Sequence, residues 1–160
     1  MGGKLGHEIV SLEEGYDYQR ETEEPFLTVT IEIKNKHNLE DALDLFVKGD
    51  ILEGENKYYC EQYGQKIRVI KRCYFKELPP VFVITLKRFE FDFNTMLKVK
   101  VNDYFEFPLE VCLDRWTHTQ DNNYKLAGVL VHSGSAESGH YFSIINSKDK
   151  WFEFNDQRVT

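Results

Sequence analysis

The chain is short of cysteine, proline and methionine, with three, four and two in 160 residues. Three cysteines, Cys60, Cys73 and Cys112, form no even framework at short spacing, which excludes a disulfide-stapled secreted fold and predicts a reducing, intracellular compartment, cytoplasmic or nuclear. No apolar run approaches the ~20 residues that a bilayer span needs, and no cleavable signal is recognisable, so no membrane partner is expected. Positive charge is also the scarcer sign: 20 basic residues against 27 acidic ones leave a net charge of −7. That balance disfavours phosphate backbones as partners and suits a protein with a basic face. Nucleic acid is therefore not expected. No repeat, low-complexity block or Gly/Pro-rich linker divides the sequence, which reads as one domain over residues 1–160.

What the chain has in quantity is aromatic surface, with 12 Phe, 9 Tyr and 2 Trp. Rings pack well on a pleated surface, so strands should dominate. "LTVTIEI" (27–33) and "QKIRVIKRCYF" (65–75) alternate apolar and polar residues. "VFVITLKRF" (81–89) is nearly continuous after the Pro79-Pro80 break, and "KVKVNDYFEFP" alternates again. "YKLAGVLVHSG", "HYFSIIN" and "WFEFND" make three more strand candidates, whereas "DRWTHTQDNN" (114–123) reads as a polar loop. The first 26 residues read as an edge hairpin or loop. One helix is expected, in "NLEDALDLFVKGD", with Asn38 as its cap, Leu39, Ala42, Leu43 and Phe46 at helical spacing, and Gly49 as its stop. The fold class is thus α+β and strand-rich.

The C-terminal stretch "SGHYFSIINSKDKWFEFNDQRVT" places a histidine near an Asn-Asp pair. If "SKDK" (147–150) is a turn, Asn146 pairs with Trp151 and Phe142 with Asn155. His140 and Asn155 then share one face as diagonal neighbours, and Asp156 falls on the other. A turn shifted by one residue would exchange the two, so the choice of Asn155 over Asp156 depends on register. An imidazole acting as general base needs an acceptor on its second nitrogen, which an amide oxygen or a carboxylate can supply. The small residues of "SGSAESG" before His140 suit a loop that moves over a substrate.

The string "YKLAGVLVHSGSAESGHYFSIIN" followed by "WFEFNDQRV" resembles the histidine box and the Asn/Asp box of the ubiquitin-specific proteases, the papain-like deubiquitinating enzymes. "LEGENKYYCEQYGQKI", "LPPVFVITLKRFEFD" and "VNDYFEFP" match in order ahead of it, so the likeness runs from about Gly2 to Thr160. "LVHSG" and "VNDYFEFP" are similar to the wording of the herpesvirus-associated type. The resemblance implies a fold of fingers, palm and thumb of which this chain supplies fingers and palm, with the thumb missing. It implies His140 as catalytic base, Asn155 as its orienter and Asp156 as an auxiliary. Phe89 and Tyr141 match positions lining the channel for the extended ubiquitin tail, and the loop 133–139, with Ser138 and Gly139, matches a mobile loop over that channel. Ubiquitin and ubiquitinated proteins are the implied partners, together with the N-terminal thumb segment of the same domain.

Two departures from the family pattern bear on chemistry. Many members hold a finger zinc on two CxxC pairs; here those positions fall at Ser11, Glu14, Cys60 and Tyr63, so no metal or other cofactor is expected and packing should hold the finger. The family's nucleophile lies in a Gly-Asn-Thr-Cys segment at a helix N-terminus, where thiolate is favoured. The sequence contains no such segment, and none of Cys60, Cys73 and Cys112 opens a helix. The expectation is the C-terminal part of a thiol deubiquitinase, inactive alone. The alternatives are a noncatalytic ubiquitin-binding module and, more remotely, an unrelated intracellular β-rich interaction domain.

Overall fold

The computed structural model describes residues 2–160. The first half contains β1 (Gly3–Ser11), β2 (Gln19–Phe26), β3 (Thr28–Ile31), α1 (Leu39–Lys48), β4 (Asp50–Leu52), β5 (Tyr58–Cys60), β6 (Gln65–Ile67) and β7 (Val69–Glu77). The second half runs through β8 (Val83–Leu86), β9 (Phe89–Asp92), β10 (Leu97–Lys100), β11 (Glu110–Cys112) and β12 (Asn123–Lys125). It ends in β13 (Gly128–Gly134), β14 (Gly139–Ser147), β15 (Lys150–Asn155) and β16 (Arg158–Val159). The strand-rich α+β class holds, with α1 as the single α-helix of the described residues.

Helix α1 forms where local signals agree. Asn38 is extended and its Oδ1 accepts the amide of Asp41 at 2.8 Å, while Gly49 leaves the helix at φ +76°, a conformation that suits glycine. Its apolar stripe buries Leu39, Ala42 and Leu43 against β3 and β7, and Phe46 stacks on Phe75 with ring centroids 5.4 Å apart. Phe26, Val29, Ile31, Ile33, Phe105, Leu113 and Trp116 complete this main core. A second, smaller cluster of Cys60, Ile67 and Val69 lies farther along β7, under Tyr16, Tyr18, Tyr58 and Tyr63.

Two four-stranded sheets organise the described residues. One has the order β2-β1-β7-β4, all antiparallel. The expected N-terminal edge hairpin is therefore half right: β2 lies at the edge, but β1 is an interior strand, paired on both sides. Its glycines are the reason that it does not read as one, since Gly3 and Gly6 sit where a Cβ would strike Phe26 and the Tyr74 ring. The other sheet, β13-β14-β15-β16, is a continuous antiparallel meander.

Several expected strands divide. The run 81–89 breaks at Lys87 and Arg88, giving β8 parallel to β3 and β9 antiparallel to β10. The run 65–75 breaks at Arg68, whose amide turns to the Glu13 carboxylate at 2.7 Å instead of a ladder partner. The loop 114–123 is less polar in practice than in sequence. It begins with a 3-10 turn that buries Trp116, whose indole N–H donates to Asp44 on α1 at 2.8 Å.

Candidate active site

The hairpin of β14 and β15 turns on Lys148 and Asp149 alone, both at positive φ (50° and 61°), and Ser147 pairs with Lys150. The turn is two residues shorter than expected, yet the register is the same, with Asn146 opposite Trp151 and Ser143 opposite Phe154. Carried one step farther, this alternation puts Asn155 level with Phe142 and on the face of His140. The His140 Nε2–H donates to Asn155 Oδ1 at 2.6 Å. Asn155 Nδ2 donates to Glu153 Oε1 at 3.3 Å, which fixes which end of the amide meets the ring. With the proton on Nε2, the lone pair of His140 lies on Nδ1, the nitrogen that could take a proton from a nucleophile.

Asp156 corrects one expectation. It does not point to the far face: its Oδ2 stands 3.9 Å from His140 Nε2. Strand β15 ends at Asn155, and Asp156, at φ 52°, opens the two-residue turn into β16, so strict alternation stops one residue before it. The amide thus makes the short contact, and the carboxylate stands behind as a second, longer-range negative partner.

Beside this pair lies an open groove of about 480 Å³, lined among others by Phe89, His132, Ser138, Gly139 and Tyr141. All four channel residues expected from the sequence therefore come together here. Phe89 is the first residue of β9 and is 41% exposed, so it is a wall of the groove and not core. The expected loop 133–139 condenses to a four-residue connection, 135–138, because β13 continues through Gly134 and β14 begins at Gly139. Ser135 braces it, with its amide donating to Ser138 O and its Oγ accepting the amides of Glu137 and Ser138.

His132 is the residue that sequence reading passed over. Its ring fills the groove floor, edge-on to Phe89 at 5.0 Å and tilted against Tyr141 at 4.7 Å. It lies so close over Gly139 that a Cβ there would stand 2.1 Å from His132 Nε2. Burial, and secondarily the nearby Lys100 ammonium, hold the His132 pKa below its ordinary value, so the ring is neutral at neutral pH. The available signal was position: His132 pairs with Tyr141, the residue after His140.

The three thiols lie elsewhere. Cys60 is fully buried in the small cluster, Cys73 donates to Phe46 O, and Cys112 sits exposed on β11. Burial raises the Cys73 pKa, the wrong direction for a nucleophile. Of the four positions at which the family's zinc pairs were expected to fall, Cys60 and Tyr63 pack together in the small cluster, and Ser11 Oγ bonds the Glu13 backbone. Among the described residues no group of three or more His, Cys, Asp or Glu is placed to hold a metal ion.

The family pattern described as "Ubiquitin carboxyl-terminal hydrolase" matches residues 9–160, nearly the whole chain. The chain belongs to that family. Ubiquitin carboxyl-terminal hydrolase 9X of Mus musculus is 37% identical over 195 aligned residues, covering 100% of this chain and 8% of the relative. Ubiquitin carboxyl-terminal hydrolase 15 of Saccharomyces cerevisiae is 35% identical, covering 98% and 14% respectively. The chain thus spans less than a sixth of the curated relatives it matches. Among solved structures, the SAGA Ubp8/Sgf11/Sus1/Sgf73 DUB module bound to ubiquitin aldehyde superposes with TM-score 0.87 at 30% identity, covering 99% of this chain and 37% of that one. A structure of that module bound to monoubiquitin gives TM-score 0.88 at 32% identity, covering 99% of this chain and 36% of that one. The papain-like architecture of the ubiquitin carboxyl-terminal hydrolases is therefore the frame in which the His140–Asn155 pair sits.

Proposed function

We propose that residues 1–160 form the fingers and palm of a thiol-dependent deubiquitinase that hydrolyses the (iso)peptide bond after the C-terminal glycine of ubiquitin. The observation that carries this reading is the 2.6 Å bond from His140 Nε2 to Asn155 Oδ1 beside a groove floored by aromatic rings. In it, His140 Nδ1 removes the proton of a cysteine thiol, and the thiolate attacks the carbonyl carbon. The imidazolium then protonates the leaving amine, which leaves a thioester. The neutral imidazole next takes a proton from a water that attacks the thioester carbonyl and returns it to the departing thiolate, releasing the acid. Asn155 holds the ring in the Nε2–H tautomer, and Asp156 favours the transient imidazolium through its charge. Phe89, Tyr141, Ser138 and Gly139 line the channel for the extended ubiquitin tail.

In this reading the nucleophile comes from a thumb segment of the same domain outside these 160 residues, and the chain by itself hydrolyses nothing. The protein works in the cytoplasm or nucleus on ubiquitinated partners, and the wording of "LVHSG" and "VNDYFEFP" supports a likeness to the herpesvirus-associated type within the family. The test is titration of the labelled chain with ubiquitin, followed by NMR. Shifts at Phe89, His132, Gly139 and Tyr141 are expected, and ubiquitin truncated before its terminal Gly-Gly should lose them. No shift at roughly millimolar ubiquitin, beyond weak-module affinity, overturns the reading. Ubiquitin carrying a thiol-reactive terminus should leave Cys60, Cys73 and Cys112 unlabelled; a label on any of them overturns the assignment of the nucleophile.

A further inference from the structure

Lys100 ends β10 directly opposite Phe89 on β9, so one cross-strand pair delivers a ring and an ammonium to the same place. Its Nζ donates to His132 O and to Gly134 O, each at 3.0 Å. These two carbonyls flank Ser133, the residue paired with His140, and lie at the end of β13 where Gly134 (φ +125°) turns into the loop. The donor comes from a different sheet from the acceptors, so together with the Phe89–His132 ring contact it ties the β9-β10 hairpin to the β13-β14 hairpin that carries His140. Charge-assisted hydrogen bonds are the stronger kind, and here two of them hold consecutive outward carbonyls of an edge strand. The same stretch of β13 holds the His132 ring over Gly139, one residue before His140.

We infer that Lys100 is a positioning residue for His140: by fastening the end of β13 to β10 it sets where Gly139 lies against the His132 ring, and so the position from which His140 meets Asn155. The inference rests on the reading of His140 as the base. The groups facing the His132 ring and the cavity it floors are Lys100 and Lys98 of β10, Glu90 of β9, Glu137 of the loop and Tyr141 of β14. Lys100 is the one bonded to the backbone of the ring's own residue. Removing its charge should free the end of β13 and let the His132 ring take up a proton more readily.

The experiment compares the chain with Lys100→Met and Lys100→Arg by NMR. Lys100→Met should speed amide exchange at Ser135 and Gly139 roughly tenfold or more, as loss of a charged hydrogen bond implies. It should also raise the His132 titration midpoint and blur the single Nε2–H tautomer of His140, which loss of packing elsewhere would not do. Lys100→Arg should restore the tautomer at least in part. A folded Lys100→Met chain with unchanged exchange and unchanged imidazole spectra overturns the inference. If Lys100→Met does not fold, the wild-type ammonium decides: slower proton exchange at Lys100 than at Lys48 and Lys71 supports it, and equal rates overturn it. None of these readouts uses substrate. Altered spectra in a chain that ignores ubiquitin would remove the deubiquitinase reading and keep the Lys100 tie; ubiquitin binding with unaltered spectra would do the reverse.

Discussion

At the scale of single residues, the groove is defined by what cannot be enlarged. Gly139 has no room for a methyl group, with His132 Nε2 and Ser133 O within 2.5 Å of where it would sit. Gly139→Ala should destabilise the chain by about 1–3 kcal/mol, as overpacking does, and displace the His132 ring; thermal melting and the His132 ring signals check both. Asn155→Ala removes the acceptor of the imidazole proton. In a complete enzyme it should lower kcat by roughly 10²–10⁴-fold, the range of general acid–base contributions, with a smaller change in KM. Titration of His132 gives a third outcome. Its pKa is depressed in the folded chain, so the unfolded chain binds its proton first as pH falls below the ordinary 6.5. The stability that depends on a neutral His132 is therefore complete above that pH and declines through the acid range, which denaturation at stepped pH will show.

At the scale of elements, legibility followed how local the determinants are. Helix α1 could be read because its cap, stripe and stop all lie within the segment, and Asn38→Ala should cost about 1 kcal/mol of stability, measurable by urea unfolding. The β14-β15 pair was legible for a similar reason, since a four-residue turn over 147–150 and the two-residue turn over 148–149 have the same centre and leave the strand register unchanged. Asp156 was misplaced because a positive φ at the strand end leaves no trace in an alternation count. The interior place of β1 and the break at Arg68 depend on partners far along the chain, Tyr74 and Glu13, which no window of sequence contains. The Glu13 carboxylate accepts the Arg68 amide and bonds Lys57 at 2.9 Å, and these contacts, the amide first, depress its pKa. Folded-state depression means that this support is present above the ordinary carboxylate value of 4.5 and lost as pH falls through the lower folded value. Amide exchange at Arg68 should accelerate in acid, and in Glu13→Gln at neutral pH.

At the scale of the whole molecule, one face of the C-terminal sheet is greasy and open. Leu130, Ser143, Phe154 and Val159 form one row across all four strands, and Leu130 is 71% exposed and Val159 55%. Ile145, 39% exposed, extends the patch in the next row. Such a surface drives self-association, so light scattering should show oligomers that Leu130→Lys with Val159→Lys disperses. The site was legible only in halves at this scale. His140 and Asn155 come from one hairpin, but the His132 ring and the Lys100 ammonium bonded to its carbonyl join β10 to β13, 32 residues apart in sequence.

The two apolar clusters lie on a common rib of β1 and β7, nine residues each, and between them the filling gives out. There His7 faces Cys73, beside a surface hollow of about 360 Å³ that Lys71 and Gly49 also border. A rib packed at both ends and hollow at its middle should yield first at the middle, so amide exchange at His7 and Cys73 is expected to outpace that at Ile9 and Phe75, and equal rates would show the ladder alone keeps it straight.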